Sequence, residues 1–136
     1  MAKIFLVEDD ARISKELASL LGKYGYECQT AQNYENMVDA ILAAQPHLVL
    51  LDINLPMYDG YYICRELRKR SGVPIIVVTS RDSDSDELMS MNLGADDFIT
   101  KPYNTQILLA RIAAVLARAY QQEGQSIEHN GLRLSL

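Results

Sequence analysis

The sequence predicts an α/β fold: a doubly wound parallel sheet of five strands in the order 2-1-3-4-5. Three observations carry that expectation. Short β-branched or leucine-rich runs alternate five times with stretches of helical period. The run over residues 47–51 is apolar on both faces, as a central parallel strand covered by helices on either side must be. Right-handed crossovers then leave few ways to arrange five strand-helix units. A chain of 136 residues is long enough for one such domain with a single core and a short extension.

The elements follow in order. Residues 4–7 read as a strand, and Ile13, Leu17, Leu20, Leu21 and Tyr24 then recur on one helical face, with Gly22 and Gly25 closing the helix. Residues 26–31 read as the second strand. Asn33 is the expected cap of a helix carrying Met37, Val38, Ile41 and Leu42, which Pro46 stops. The strand over 47–51 leads through a loop at 54–58 into a helix over 61–70, with Ser71-Gly72 as the turn out. A fourth strand over 73–78 precedes a helix over 83–93, whose acidic first turn suits the helix dipole and which Gly94 ends. After a short strand over 97–100, Asn104 caps a last helix running to about Tyr120. Its Ile107, Leu108, Ile112, Val115 and Leu116 cover more than one face, so part of that surface is expected to meet a partner. The folded domain thus spans 1–120, and polar residues 121–126 read as a linker. Residues 127–136 carry Asn130-Gly131 between alternating apolar residues, a hairpin signal read as the truncated start of a C-terminal domain, with a folded-back tail as the alternative.

Composition narrows the function. Apolar residues make up 49% and charged residues 23%, which argues for a folded chain and against disorder. The apolar runs are strand-sized, far below the roughly 20 residues that span a bilayer, so no membrane role and a cytoplasmic location are expected. Cys28 and Cys64 lack zinc or redox spacing and read as small buried side chains. A net charge of −5 disfavours binding a polyanion, so contact with DNA would need another module.

Chemistry-bearing residues stand where the apolar runs stop: Glu8-Asp9-Asp10, Asp52, Thr79 and Lys101-Pro102. In a parallel sheet of this order those ends meet at one crevice, at the switch point between strands 1 and 3. The set suits Mg2+, which takes oxygen ligands and typically one or two carboxylates. Asp9 and Asp52 can supply them, the Asn54 carbonyl can point back as a third ligand, and Glu8 can hold a metal-bound water. Without a cation the carboxylates repel one another, so at least one is expected to titrate high, and metal affinity is expected to fall at low pH. A carboxylate can also attack a phosphoryl group to give an aspartyl phosphate, with an ammonium such as Lys101 neutralising the equatorial oxygens and the Thr79 hydroxyl donating to one of them. An Asp at a strand end is by itself a common helix cap, and a Thr there is ordinary. The combination is what is specific.

The pattern Val7-Glu8-Asp9-Asp10, Leu51-Asp52-Ile53-Asn54-Leu55-Pro56, Asp59-Gly60, Thr79-Ser80-Arg81 and Gly94-Ala95-Asp96-Asp97-Phe98-Ile99-Thr100-Lys101-Pro102 resembles the receiver domain of two-component response regulators, over about residues 3–120. The resemblance implies a flavodoxin-like fold and phosphoryl transfer to Asp52 from a phosphohistidine on a sensor histidine kinase. It implies Mg2+ on Glu8, Asp9, Asp52 and the Asn54 carbonyl, Thr79 and Phe98 as the switch pair, Lys101 as the counter-charge, and a cis Lys101-Pro102 bond. Such a domain is a signalling switch and not a turnover enzyme. The doubled Asp96-Asp97, with Arg111 and Arg118 on the last helix, is similar to the winged-helix (OmpR/PhoB-type) subfamily of DNA-binding regulators. There, such residues pair two copies through helix 4, strand 5 and helix 5, so a homodimer is implied, with DNA bound only by the C-terminal domain. For Arg111 and Arg118 the alternative is a solvated helix stripe, since exposed ion pairs contribute only about 0–1 kcal/mol. Tyr58 to Arg65, Ser80-Arg81-Asp82 and Met89-Ser90-Met91 further resemble regulators of resistance to cell-envelope antibiotics and antimicrobial peptides.

The chain departs from the subfamily in places. Phe98 stands where Tyr is frequent, Ser80 where Ala is frequent, and Glu87 and Ile107 where a basic and an acidic residue commonly pair. A haloacid dehalogenase-like phosphatase would need a second Asp where this chain has Asn54, and a flavin carrier would need amides where the first loop is acidic. A stand-alone receiver that signals by protein contact remains the alternative to a DNA-binding regulator.

Overall fold

A computed structural model describes residues 2–30, 35–53, 60–80 and 84–121. The elements alternate strictly: β1 (Lys3–Val7), α1 (Ala11–Lys23), β2 (Glu27–Thr30), α2 (Met37–Ala44), β3 (Leu48–Asp52), α3 (Gly60–Arg70), β4 (Ile75–Thr79), α4 (Asp84–Asn92), β5 (Asp97–Thr100) and α5 (Thr105–Gln121). All strand pairs are parallel and the order is β2-β1-β3-β4-β5, as the sequence predicts.

The reason lies in how successive side chains of a strand point to opposite faces. Ile4, Leu6, Leu48, Leu50, Ile76 and Val78 turn to one side and pack with Leu17 and Leu21 of α1 and Leu108, Ile112, Val115 and Leu116 of α5. Phe5, Val7, Val49, Leu51, Ile75 and Val77 turn to the other, against Met37 and Ile41 of α2 and Ile63, Cys64 and Leu67 of α3. β3 and β4 are buried along their whole length, whereas β2 at the edge is not.

Element ends differ from expectation in ways that matter for the site. The third and fourth strands extend one residue further than expected, because Asp52 pairs in register with Val78 and Thr79 with Thr100. The two chemistry-bearing residues are therefore the last residues of their strands, fixed by the ladder. Asp10 belongs to the helix: its Oδ1 accepts from the N–H groups of Arg12 (3.0 Å) and Ile13 (3.2 Å), capping α1. Gly22 lies inside α1, and the left-handed residue beyond it is Gly25, with φ +92°. Asn104 caps α5 as expected, accepting from Gln106 at 2.8 Å and Ile107 at 3.2 Å. α2 begins at Met37 behind Asn36, whose φ is 57°. The expected cap Asn33, the linker from residue 122 and the hairpin over 127–136 lie outside the described residues. Among the described residues, no helix is long and apolar enough to cross a membrane. Both cysteines are free, and burial pushes their thiols up to about 11, which leaves them protonated and unreactive at neutral pH.

At the opposite end from the strand carboxyl termini, His47 ties three elements together. Its Nδ1 accepts from the Lys3 backbone N–H (2.9 Å), its backbone N–H donates to the Lys3 carbonyl (2.8 Å), and its carbonyl accepts from the Tyr120 hydroxyl (2.8 Å). An accepting Nδ1 requires the neutral ring. Burial, and then nearby positive charge including that of Lys3, lower the imidazole from its ordinary 6.5. A folded value below the unfolded one means that the stability it contributes is fully present above 6.5 and is lost as pH falls from there through the folded value. The thermal midpoint is expected to drop over that acidic window, and His47→Asn, whose Oδ1 stands where Nδ1 does and can still accept from Lys3, is expected to flatten the drop in calorimetric melts.

Candidate functional site

The carboxyl ends of β1 and β3 bring three carboxylates together: one oxygen each from Glu8, Asp9 and Asp52 lies within 4.8 Å of the others. Asp52 is 4% exposed, Glu8 is partly buried and Asp9 is open to solvent. Lys101, just past β5, reaches in from the other side. Its Nζ donates to Glu8 Oε1 at 2.8 Å and to Asp52 Oδ2 at 3.0 Å. The loop that carries it is set by the ladder, since the Lys101 N–H donates to the Thr79 carbonyl at 2.7 Å, and the Lys101-Pro102 peptide is cis. Thr79 itself is fully buried at the end of β4. One end of the sheet thus gathers Glu8, Asp9, Asp52, Thr79 and Lys101.

Electrostatics explain the pairing. The Glu8 carboxyl titrates above its ordinary range, chiefly because it is buried, and the negative charge of Asp52 adds a smaller push in the same direction. Repulsion is thus present as the sequence suggests, but burial is the larger cause. Opposing it are the Lys101 ammonium and the Asp10 N–H, which donates to Glu8 Oε2 at 3.1 Å. For Lys101, burial is the largest single influence and favours the neutral amine, yet the two carboxylates together outweigh it and hold the ammonium above its ordinary value. It stays charged at any physiological pH. Because the folded-state value of Glu8 is raised, folding favours its protonated form, a stabilisation present in acid and lost as pH rises through the folded value.

An all-oxygen, carboxylate-rich set suits a hard cation such as Mg2+, which tolerates waters in its remaining positions. Glu8, Asp9 and Asp52 fit that chemistry; Asn54, Asp59 and Arg81 lie outside the described residues. At neutral pH, added Mg2+ is expected to raise the thermal midpoint, and the rise is expected to shrink as pH falls into the carboxyl range, because protons compete for the same oxygens. Calorimetric titration at several pH values checks this.

The remaining sequence-predicted residues lie along β5 and α5. Phe98 is partly buried against the α2–α3 side of the core. Asp97 Oδ1 and Oδ2 receive Arg111 Nη1 at 2.9 and 3.1 Å within the same chain. Asp96 turns to Arg68, at 3.2 Å, and Arg118 reaches the Asp96 carbonyl, at 3.4 Å. Ile107 is 51% exposed, and Leu88, Met89 and Met91 of α4 are likewise exposed.

The chain matches the family described as "Response regulator receiver domain" over residues 4–113. It belongs to that family. Among curated relatives, it is 40% identical over 141 residues to the uncharacterized transcriptional regulatory protein YvcP of Bacillus subtilis, covering 98% of this chain and 60% of the relative. Among solved structures, the BeF3-activated N-terminal receiver domain of Klebsiella pneumoniae RstA is 38% identical with a TM-score of 0.79, covering 84% of this chain and 97% of that one. The N-terminal domain of the lantibiotic response regulator NsrR, a nisin resistance regulator, is 39% identical with a TM-score of 0.78, covering 85% of this chain and 98% of that one. The chain spans about three fifths of the length of these curated relatives. Receiver domains are signalling modules and not turnover enzymes, and they bind Mg2+ in general.

Sequence reasoning missed three features of this receiver domain. The direct Glu8–Lys101 pair joins residues 93 apart, and no local pattern marks it. Gly60, the first residue of α3, lies against Ile53 beside Asp52. Arg68 carried one available signal, a cation four residues after Cys64 on the apolar stripe of α3.

Proposed function

We propose that this receiver domain takes a phosphoryl group on Asp52 from the phosphohistidine of a sensor histidine kinase, in the cytoplasm. The observation that supports it is the buried Asp52 carboxylate, flanked by Glu8 and Asp9 and held at 3.0 Å by the Lys101 ammonium. In the transfer a carboxylate oxygen of Asp52 bonds to phosphorus while the bond from phosphorus to the imidazole nitrogen breaks. The leaving imidazole keeps that electron pair. Glu8, Asp9, Asp52 and the Asn54 carbonyl would hold Mg2+, which would neutralise charge on the phosphoryl oxygens. Lys101 releases its hold on the carboxylate and meets a phosphoryl oxygen, and the Thr79 hydroxyl donates to another.

The output is a population shift in which Thr79 moves toward the phosphoryl group and Phe98 turns inward, favouring a pairing face formed by α4, β5 and α5. Asp97, Arg111 and Arg118 lie on that face, with Asp96 at its edge. Two copies so paired would present two C-terminal DNA-binding domains at a fixed spacing. The likeness to NsrR favours a regulator of resistance to peptides that act on the cell envelope. Labelling with acetyl phosphate and Mg2+, followed by peptide mapping, tests the first step, and label on any peptide lacking Asp52 overturns it. Beryllofluoride with Mg2+ should convert monomer to dimer in ultracentrifugation. A protein that stays monomeric at concentrations where intact regulators pair refutes the second.

A further inference from the structure

Arg68 is a half-buried cation to which the proposed switch gives no part. It lies near the end of α3 and reaches across to the turn between α4 and β5. Nε and Nη2 both donate to the Gly94 carbonyl, at 3.1 and 2.6 Å, and Nη2 also meets Asp96 Oδ2 at 3.2 Å. Nη1 donates to the carbonyls of Ser71 at 3.2 Å and Val73 at 2.9 Å, in the connection from α3 to β4. One planar group thus joins two loops that are far apart in sequence. Asp96 completes the joint on the other side: its Oδ2 accepts from the Ile75 N–H at 2.8 Å, and its own N–H donates to the Ile75 carbonyl at 2.7 Å. Gly94 is shaped to this arrangement. Its φ is +104°, and a Cβ there would stand 2.8 Å from Arg68 Nε and 2.9 Å from Cγ.

We infer that Arg68 is a positioning residue for the switch strand: by gripping Gly94 and Asp96 it sets how Asp97 and Phe98 enter β5. Asp96 is thus held within its own chain as the partner of Arg68. The naming of Asp97 and Phe98 as switch residues rests on the proposed function; the grip itself does not. Phe98 follows Asp96 by two residues, so a displacement of the turn is carried into Phe98 by the stiff geometry of an extended chain. Asp97 passes the same displacement to α5, because its carboxylate is held by Arg111. A lysine cannot substitute. A point charge with rotating donors cannot meet the Gly94 and Val73 carbonyls and the Asp96 carboxylate together, as a rigid fork does.

The test compares amide spectra and hydrogen exchange of the wild type, Arg68→Lys, Asp96→Asn and the double variant. Each single variant is expected to move the amides of Ile75, Asp97 and Phe98 and to speed their exchange roughly tenfold, the effect of losing charge-assisted hydrogen bonds. The double variant is expected to add little to either, since both changes open one joint. Lys69→Ala, which removes an exposed cation of α3 paired with Glu66, is expected to leave these amides in place. An arginine that only stabilised the fold would lower the melting midpoint without moving Phe98. Unmoved Asp97 and Phe98 amides in Arg68→Lys, or effects of the two single changes that simply add, overturn the inference; Asp96→Asn, nearly the same shape as Asp, decides it should the Arg68 variant not fold. A second measurement, the beryllofluoride midpoint for dimerisation, is expected to shift in Arg68→Lys. A wild type that ignores beryllofluoride refutes the switch reading, while the amide comparison still judges Arg68.

Discussion

Asp52→Asn is expected to abolish labelling by acetyl phosphate while leaving the fold intact. The amide has nearly the same shape as the carboxylate but is a far weaker nucleophile, so the anhydride cannot form. Asp52 is 4% exposed and its neighbours are packed, which keeps the substituted side chain in the same place. Two electrostatic effects oppose each other in the variant. Lys101 loses the partner at 3.0 Å but keeps Glu8 at 2.8 Å, and Glu8 loses a like charge that pushes its carboxyl up. The thermal midpoint is therefore expected within about 5 °C of the wild type. Intact-mass measurement after incubation with acetyl phosphate and Mg2+ reads the labelling. A phosphorylated Asp52→Asn protein would move the acceptor to another side chain and remove the basis of the proposed function.

Gly60→Ala is expected to be the most damaging of the small changes. The added Cβ would stand 2.9 Å from the Ile53 Cβ and 3.0 Å from its Cγ2, and would overlap the Ile53 Cα as well. Contacts with a backbone atom cannot be relieved by rotating a side chain. Either the end of β3 or the start of α3 must move, and Ile53, next to Asp52, is 1% exposed and packed in the core. Overpacking of this kind costs about 1–3 kcal/mol or more, a fall in thermal midpoint of roughly 3–15 °C for a domain of this size. Labelling at Asp52 is expected to slow too, because the shift falls on the strand end that holds it. Gly72→Ala is the control: nothing lies within 4 Å of a Cβ there, so its melt should match the wild type. Equal melts for both variants would show that the close approach of α3 to β3 is not a constraint.

The fold was legible because its signals are short-ranged. The five apolar runs, the helical stripe from Ile13 to Tyr24 and the Asn104 cap all lie within a few residues of what they specify. The strand-end chemistry was legible for a related reason: once the order is 2-1-3-4-5, the strand ends share one edge and their residues must converge. Asp10 shows where this stops. It follows two acids assigned to the crevice, but a helix begins immediately after it and its carboxylate is claimed by two orphan N–H groups.

By itself, then, the sequence determined the class of fold, the strand order and the set of residues delivered to the crevice, because periodicity and crossover handedness act along the chain. Only the tertiary structure decided who pairs with whom. Lys101 meets Glu8 across 93 residues and Arg68 meets Asp96 across 28, and both pairings depend on distances between separately formed elements that differ by tenths of an ångström. Side chains of like charge are interchangeable in a pattern; packing, burial and the directions of their hydrogen bonds make them distinct.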